Sequence, residues 1–261
     1  MKTKLYIVKI GGKVIENQDN LSVFLTNFSK LKGPKILVHG GGNSATELSK
    51  KLGLTPKLID GRRVTTNSDL EVVTMVYAGL LNKKIVATLQ SKNCNAIGLS
   101  GADANVISSD KRAEKPINFG LVGDINNVDT NFIKSLVNDG ITPVFCAITH
   151  TKKGQLLNTN ADSIASEIAI ALSGIYDTEL LYCFEQEGVL LDLTQENSVI
   201  SNITNIDYLK LKAMGIIHKG MMPKVENGFH ALKNKVGKVL IGSEKLLENK
   251  HVIHTELSLL K

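Results

Sequence analysis

Two glycine clusters and a handful of cations are the residues of this chain whose types and spacing could do chemistry. Gly11-Gly12 follows the apolar run KLYIVKI, and Gly40-Gly41-Gly42 follows KILVH. Glycine lets backbone N–H groups approach an anion, and a helix starting there adds the positive end of its dipole. A tight turn alone would explain one such pair; two clusters at successive strand ends point to anion binding. Neither is a Walker loop, because no Gly-Lys-Ser/Thr follows the required spacer, and neither is a GxGxxG fingerprint with a downstream acid. Lys9 lies inside YIVKIGG. It is either a solvent-facing strand lysine or a buried cation, and burial there is costly unless an anion meets it. Lys224 follows Gly220-Met221-Met222-Pro223 at a helix start, where the dipole disfavours a cation. It is a surface lysine or it has an anion nearby. Arg62-Arg63 could grip a carboxylate or phosphate bidentately, although exposed loop arginines are common. Asn158, Asn160 and Asp162 open a helix. Asn160 or Asp162 could be only an N-cap; alternatively, the amides suit a substrate amide and the carboxylate orders lysines. His39 and His218 have no evident nucleophile partner and read as structural.

These residues need a scaffold of alternating elements. Strands are predicted over 4–10, 35–42, 95–101, 141–148, 179–184 and 238–243, the last of the series. Helices are predicted over 21–32, 43–54, 68–92, 129–140, 160–174, 208–215 and 222–237. Ser44 with Glu47, and Ser68 with Glu71, have capping-box spacing, and Gly140 reads as a C-cap. Strand then helix, repeated, means a parallel sheet covered on both faces. In such sheets ligands bind at the carboxyl ends of the strands, where both glycine clusters fall. The weakest seam is Ile175–Thr178. It divides the chain into an N-terminal lobe of about 1–175 and a C-terminal lobe of about 176–261.

Composition narrows the class. The 261 residues are 43% apolar and 21% charged, ordinary globular usage. No stretch approaches the roughly 20 apolar residues of a membrane helix, and the start reads as a strand, not a signal peptide. Cys94, Cys146 and Cys183 are widely spaced and odd in number, which fits free buried thiols in a reducing cytoplasm and no zinc site. The net charge of +6 comes with 5% aromatics and no tryptophan. A base-stacking platform is disfavoured, and a modest bias toward anionic small substrates remains.

The ordered blocks VKIGGK, VHGGG, GRRVT, GLSGADAN, GQLLNTNAD and GMMPKV run from about Tyr6 to Gly242. Together they resemble the amino-acid kinase family, most closely its branch acting on N-acylated glutamate. The resemblance implies an α/β fold, a three-layer αβα sandwich around a mostly parallel sheet of about eight strands. It implies an N-terminal lobe for acyl-glutamate binding and homodimerisation, and a C-terminal lobe for ATP. The implied reaction is phosphoryl transfer from ATP, with Mg2+ held mainly by the phosphates and not by a protein metal site, to the γ-carboxylate in arginine biosynthesis. By the same resemblance Lys9 and Lys224 stabilise the transferred group, and Asp162 holds both lysines. Gly41, Gly42, Arg63, Asn158 and Asn160 would bind substrate. Gly11, Gly12, Glu185, Gly188 and Lys219 would serve the nucleotide.

Two residues depart from the family pattern. Glu185 stands where aspartate is usual, which bears on the adenine and ribose contacts. Arg62 stands where an apolar residue is frequent, and a second cation there could meet a charged acyl group such as succinyl in place of acetyl. Arginine-inhibited members carry an extra N-terminal helix that builds a hexamer. With Lys9 eight residues from the start, the expectation is a dimer without arginine feedback. Competing readings are a kinase for carbamate, aspartate or a nucleoside monophosphate, a non-catalytic amino-acid sensor, and a basic nucleic-acid binder. The NTNAD and GRRVT blocks favour the acyl-glutamate type, and retention of both lysines with Asp162 speaks against a sensor.

Overall fold

The structure, a computed structural model, describes residues 2–59, 61–195, 197–217, 220–248 and 252–260. The chain forms two compact units, residues 1–35 with 165–261 and residues 36–164. These divisions differ from the lobes expected at 175/176. The reason is that the strand Lys4–Ile10 pairs in parallel with Asp177–Cys183 along its full length, Lys4 opposite Asp177 and Ile10 opposite Cys183. That ladder ties the first segment to the C-terminal part of the chain.

In the first unit the strand order is Asn202–Thr204, Thr255–Ser258, Lys238–Gly242, Asp177–Cys183, Lys4–Ile10. All neighbours are parallel except Lys238–Gly242 with Thr255–Ser258. Leu180, Leu181, Tyr182 and Cys183 are buried in succession, as expected of a parallel strand covered on both faces. The sequence reading ended the strands at 243, whereas Thr255–Ser258 follows and lies antiparallel to Lys238–Gly242. Four residues of mixed polarity, TELS, give no apolar run to detect. Its helices include Gln18–Lys30, Asn205–Ala213 and Met221–Lys233. Gly228 lets the last approach the sheet, since a Cβ there would stand 2.5 Å from Leu257 Cδ1.

In the second unit Lys35–His39, Thr142–Cys146 and Ala96–Leu99 form a parallel array in that order. The five and three strands of these arrays make the eight expected, and the architecture is α/β and mostly parallel. A four-stranded sheet, Leu156–Asn158, Ile148–His150, Ile107–Lys111, Gly123–Val128, and a hairpin of Lys57–Ile59 with Arg62–Val64 were not foreseen. The predicted strand 141–148 is two strands parted at Ala147.

Of the two expected capping boxes, the first is absent among the described residues and the second is shifted. The helix Gly42–Lys51 starts behind Gly41 with no side-chain cap, so Ser44 lies inside its first turn. The long helix starts at Asn67, where Thr66 and Asp69 form the box. That helix runs to Gln90 through a π segment at Met75–Leu81. It corrects the membrane reading, for by length and composition it could cross a bilayer. Its Leu70, Val73, Val76, Ile85 and Leu89 are buried inside the unit, and it carries Asp69, Glu71, Lys83 and Lys84.

Candidate functional site

The second unit holds a cavity of about 220 Å³. Its wall includes Gly41, Gly42, Arg63, Asn158 and Asn160, all five residues expected to bind substrate, together with Arg62. They come from three separate segments, 41–42, 62–63 and 158–160, and the fold brings them together.

Local structure explains each placement. Gly41 has φ +154°, and a Cβ there would collide with Leu81 Cδ1 and stand 3.0 Å from Tyr77 Cδ1. Glycine thus lets the Gly40–Gly42 backbone lie against the π segment, a helix distortion frequent at functional sites. Arg63 is only 7% exposed. Its Nη2 donates to Gly42 O at 2.9 Å and Thr46 Oγ1 at 2.6 Å. Its Nη1 is buried without a hydrogen-bond partner among the described residues and lies 4.0 Å from Asp69 Oδ1. Asp69 is the capping-box acid, held by Thr66 N and Thr66 Oγ1, so a helix cap also braces the arginine. The strand carrying Arg63 is tied to the next loop: Thr65 N donates to Phe119 O and Leu121 N to Thr65 O. Gly120, at φ +72°, allows this approach because a Cβ there would strike the Thr65 carbonyl.

Asn158 Nδ2 donates to Thr65 Oγ1 at 3.0 Å. Asn160 Oδ1 accepts from Asp162 N at 2.8 Å and Ser163 N at 3.1 Å, so it is the N-cap of the helix Ala161–Leu172. Asp162 is buried at the start of that helix.

His39 has the structural role anticipated. It is fully buried, its Nδ1 donates to Gly40 O at 2.8 Å, and its Nε2 accepts from Asn82 Nδ2 at 3.1 Å. Asn82 also donates to Val144 O. Burial drives the imidazole down to about 4, more than the Gly40 hydrogen bond raises it. The ring is therefore neutral at pH 7 and fixes the turn into Gly40–Gly42. Tyr77 borders the cavity, and burial raises its hydroxyl while the Arg63 charge pulls the other way.

The wall also contains Tyr77, Arg112 and Phe119, which sequence reasoning missed. Arg112 sits in a Lys-Arg pair that reads as solvated surface, and Tyr77 lies in a helix whose apolar residues read as core. No spacing signal marks either one. Among the described residues, no aspartate or glutamate lines the cavity.

The remaining expected residues belong to the first unit, apart from Lys219, which with His218 lies outside the described residues. Lys9 is 7% exposed and opposite Tyr182 in the parallel ladder. Gly11 N donates to Cys183 O at 2.8 Å, and a Cβ on Gly11 would stand 3.1 Å from Phe184 Cβ. Gly12 begins a short helix behind it. Lys224 Nζ donates to Gly220 O at 3.1 Å in the first turn of Met221–Lys233. Glu185 lines a second cavity, of about 390 Å³, with Glu187, Glu244 and Lys245. There Lys13 pairs with Glu185 at 2.9 Å and Lys245 with Glu187 at 2.7 Å; hydrogen bonding to those carboxylates raises both lysines. Gly188 is packed tightly, its Cβ position 2.5 Å from Val199 Cγ1. Cys94, Cys146 and Cys183 are free and buried. Burial pushes Cys146 up to about 12 and Cys183 higher, so both are inert thiols. No group of three or more His, Cys, Asp or Glu among the described residues could hold a metal ion.

Residues 4–243 match the amino acid kinase family. A Cytophaga hutchinsonii protein named acetylglutamate kinase is 51% identical over 247 residues, covering 94% of each chain. One of the same name from Phocaeicola vulgatus is 51% identical over 241 residues, covering 92% of this chain and 94% of that one. The crystal structure of smu.665 from Streptococcus mutans UA159 superposes with a TM-score of 0.80 at 26% identity, covering 99% of both chains.

Proposed function

The chain belongs to the amino acid kinase family, and from that premise we propose that it phosphorylates the γ-carboxylate of an N-acyl-L-glutamate with ATP. The curated relatives it resembles at about half identity are named acetylglutamate kinase, which supports the acyl-glutamate branch over carbamate or aspartate kinases. The observation that carries the reading is the cavity of the second unit. Five residues predicted from separate sequence blocks line it, around a buried arginine and with no acid among the described residues of the wall. Such a wall suits a small anionic amino-acid derivative, with Arg63 taking the α-carboxylate and Asn158 contacting the acylamino group.

The chemistry is then simple to balance. A γ-carboxylate oxygen attacks the γ-phosphorus of ATP, the bond to the bridging β–γ oxygen breaks, and ADP leaves with the acyl phosphate as co-product. A glutamate γ-carboxyl is ionised at pH 7, so no general base is required. The protein's task is positioning and charge stabilisation. Lys9 and Lys224 supply positive charge to the transferred group, and Asp162 orients them. Gly12 offers its backbone N–H to the phosphates, and Gly11, whose own N–H is taken by Cys183 O, lets the backbone come close to them. Mg2+ enters with the ATP phosphates. In the acidic second cavity, Glu185 and its neighbours are acceptors suited to ribose hydroxyls and an amino group. The enzyme works as a homodimer in the cytoplasm, at the acyl-phosphate step of arginine biosynthesis.

Initial-rate ADP release from MgATP tests this, with N-acyl-L-glutamates, free glutamate, aspartate and carbamate supplied in parallel. Turnover confined to acyl-glutamates is expected. Turnover with carbamate or aspartate alone, or none with any acceptor while ATP still binds, would refute it.

A further inference from the structure

The geometry points to a substrate whose acyl group ends in its own carboxylate, the class represented by N-succinyl-L-glutamate, with Arg62 and Arg112 as its receivers. This rests on reading the cavity as the acyl-glutamate site. Three arginines, Arg62, Arg63 and Arg112, line that one cavity. An N-acetyl-L-glutamate has two carboxylates; the γ-carboxylate must face the phosphoryl donor, and Arg63 accounts for the other. Arg62 and Arg112 are then the guanidinium groups in the wall that no substrate carboxylate has yet met.

Arg112 is not an idle surface charge. Arg112 is held from behind, its Nε donating to Asp124 Oδ1 at 3.0 Å and Oδ2 at 3.2 Å while its Nη2 also binds Oδ1. Its guanidinium carbon lies 5.7 Å from the centroid of the Phe119 ring. Asp124 is not part of the cavity wall. The acid therefore sets the fork's orientation and leaves Nη1 available to a ligand, as preorganised sites require. Arg62 is exposed and stands beside Arg63 in the cavity wall, on the hairpin that Gly120 docks, so it would meet a ligand's outer end from the solvent side. Leu58, Phe119 and Val122 in the same wall offer apolar contact for methylenes. A neutral acetyl methyl makes no hydrogen bond to these cations, whereas a terminal carboxylate makes charge-assisted ones. A site built for a polar group discriminates strongly against the analogue lacking it.

The test compares kcat/KM for N-acetyl-, N-succinyl- and N-glutaryl-L-glutamate at saturating MgATP, in the wild type and in Arg62→Leu. Thermal shifts with each compound and no ATP give a readout independent of turnover. The expected result is a wild-type preference of about tenfold or more for a dicarboxylic acyl group, and a comparable fall in that ratio in Arg62→Leu. Arg62→Lys should keep part of the preference, because it keeps the charge. A wild type that prefers N-acetyl-L-glutamate, or a ratio unmoved by Arg62→Leu, overturns the inference and leaves the kinase reading intact. If no acyl-glutamate is turned over or shifts the melting temperature, the kinase reading itself fails and this inference with it.

Discussion

Replacing Arg63 with lysine keeps a positive charge at the same place and removes only the planar fork. In the structure one end of that fork is occupied, with Nη2 shared between Gly42 O and Thr46 Oγ1, while Nη1 has no hydrogen-bond partner among the described residues. A lysine ammonium ends near the position of the guanidinium carbon. It can bind the Gly42–Thr46 side or a substrate carboxylate, but it cannot span both. The loss is one charge-assisted hydrogen bond, about 1.5–3 kcal/mol, which is roughly 10- to 150-fold in affinity. The α-carboxylate does not react, so the contact is equally strong in ground and transition states. The penalty therefore falls on KM for the acyl-glutamate and leaves kcat within about threefold of wild type. Initial rates with acyl-glutamate varied at saturating MgATP, then with the roles exchanged, separate the two constants. A KM for acyl-glutamate that stays put while the KM for ATP rises would refute the placement of Arg63 in the acceptor site.

Further predictions concern the supporting structure and the cations. His39 titrates at about 4 in the folded protein against 6.5 as an unperturbed group. The unfolded chain therefore binds the extra proton, and stability present above pH 6.5 is lost as pH falls toward 4. The full loss is about 3 kcal/mol. Urea unfolding at pH 7 and pH 4.5 should show that loss in the wild type and most of it gone in His39→Gln; equal pH dependence in the two proteins would contradict the buried neutral ring. Gly41→Ala forces a Cβ against Leu81 and Tyr77 and should cost about 1–3 kcal/mol, seen as a lower melting temperature together with a raised KM for acyl-glutamate. A variant matching wild type in both would remove Gly41 from the site's architecture. Lys9→Ala and Lys224→Ala should each lower kcat by about 10²–10³-fold with unchanged circular dichroism; retention of kcat in either would strip that lysine of its role in phosphoryl transfer.

What could be read without coordinates follows physical scale. Apolar runs such as LYIVKI and KILVH declare parallel strands because both faces are buried, and glycine at their ends declares a close approach of backbone. Arg63, Asn158 and the Gly41-Gly42 pair were legible because each lies in a motif. The four-stranded sheet was not, since segments such as ISSDK and GDINNV lack an apolar face. Arg112 and Phe119 reach the cavity through that sheet and its loops, so they stayed hidden with it. The capping boxes were misplaced for a different reason. Thr66 with Asp69 and Ser68 with Glu71 share the same spacing, and only tertiary structure picks the pair whose acid also faces Arg63. The division of the chain was set by the long-range ladder of Lys4–Ile10 with Asp177–Cys183, which no local signal announces.

The central claim is that a γ-carboxylate attacks phosphorus to give an acyl phosphate. Hydroxylamine trapping tests this most directly: purified enzyme, MgATP and N-acyl-L-glutamates are incubated together, and the trapped product is identified by mass. The account predicts an N-acyl-glutamyl γ-hydroxamate formed in step with ADP, none without ATP, and about 10²–10³-fold slower formation with Lys9→Ala. ADP release with no hydroxamate, or hydroxamate only from an acceptor that is not an acyl-glutamate, would contradict it.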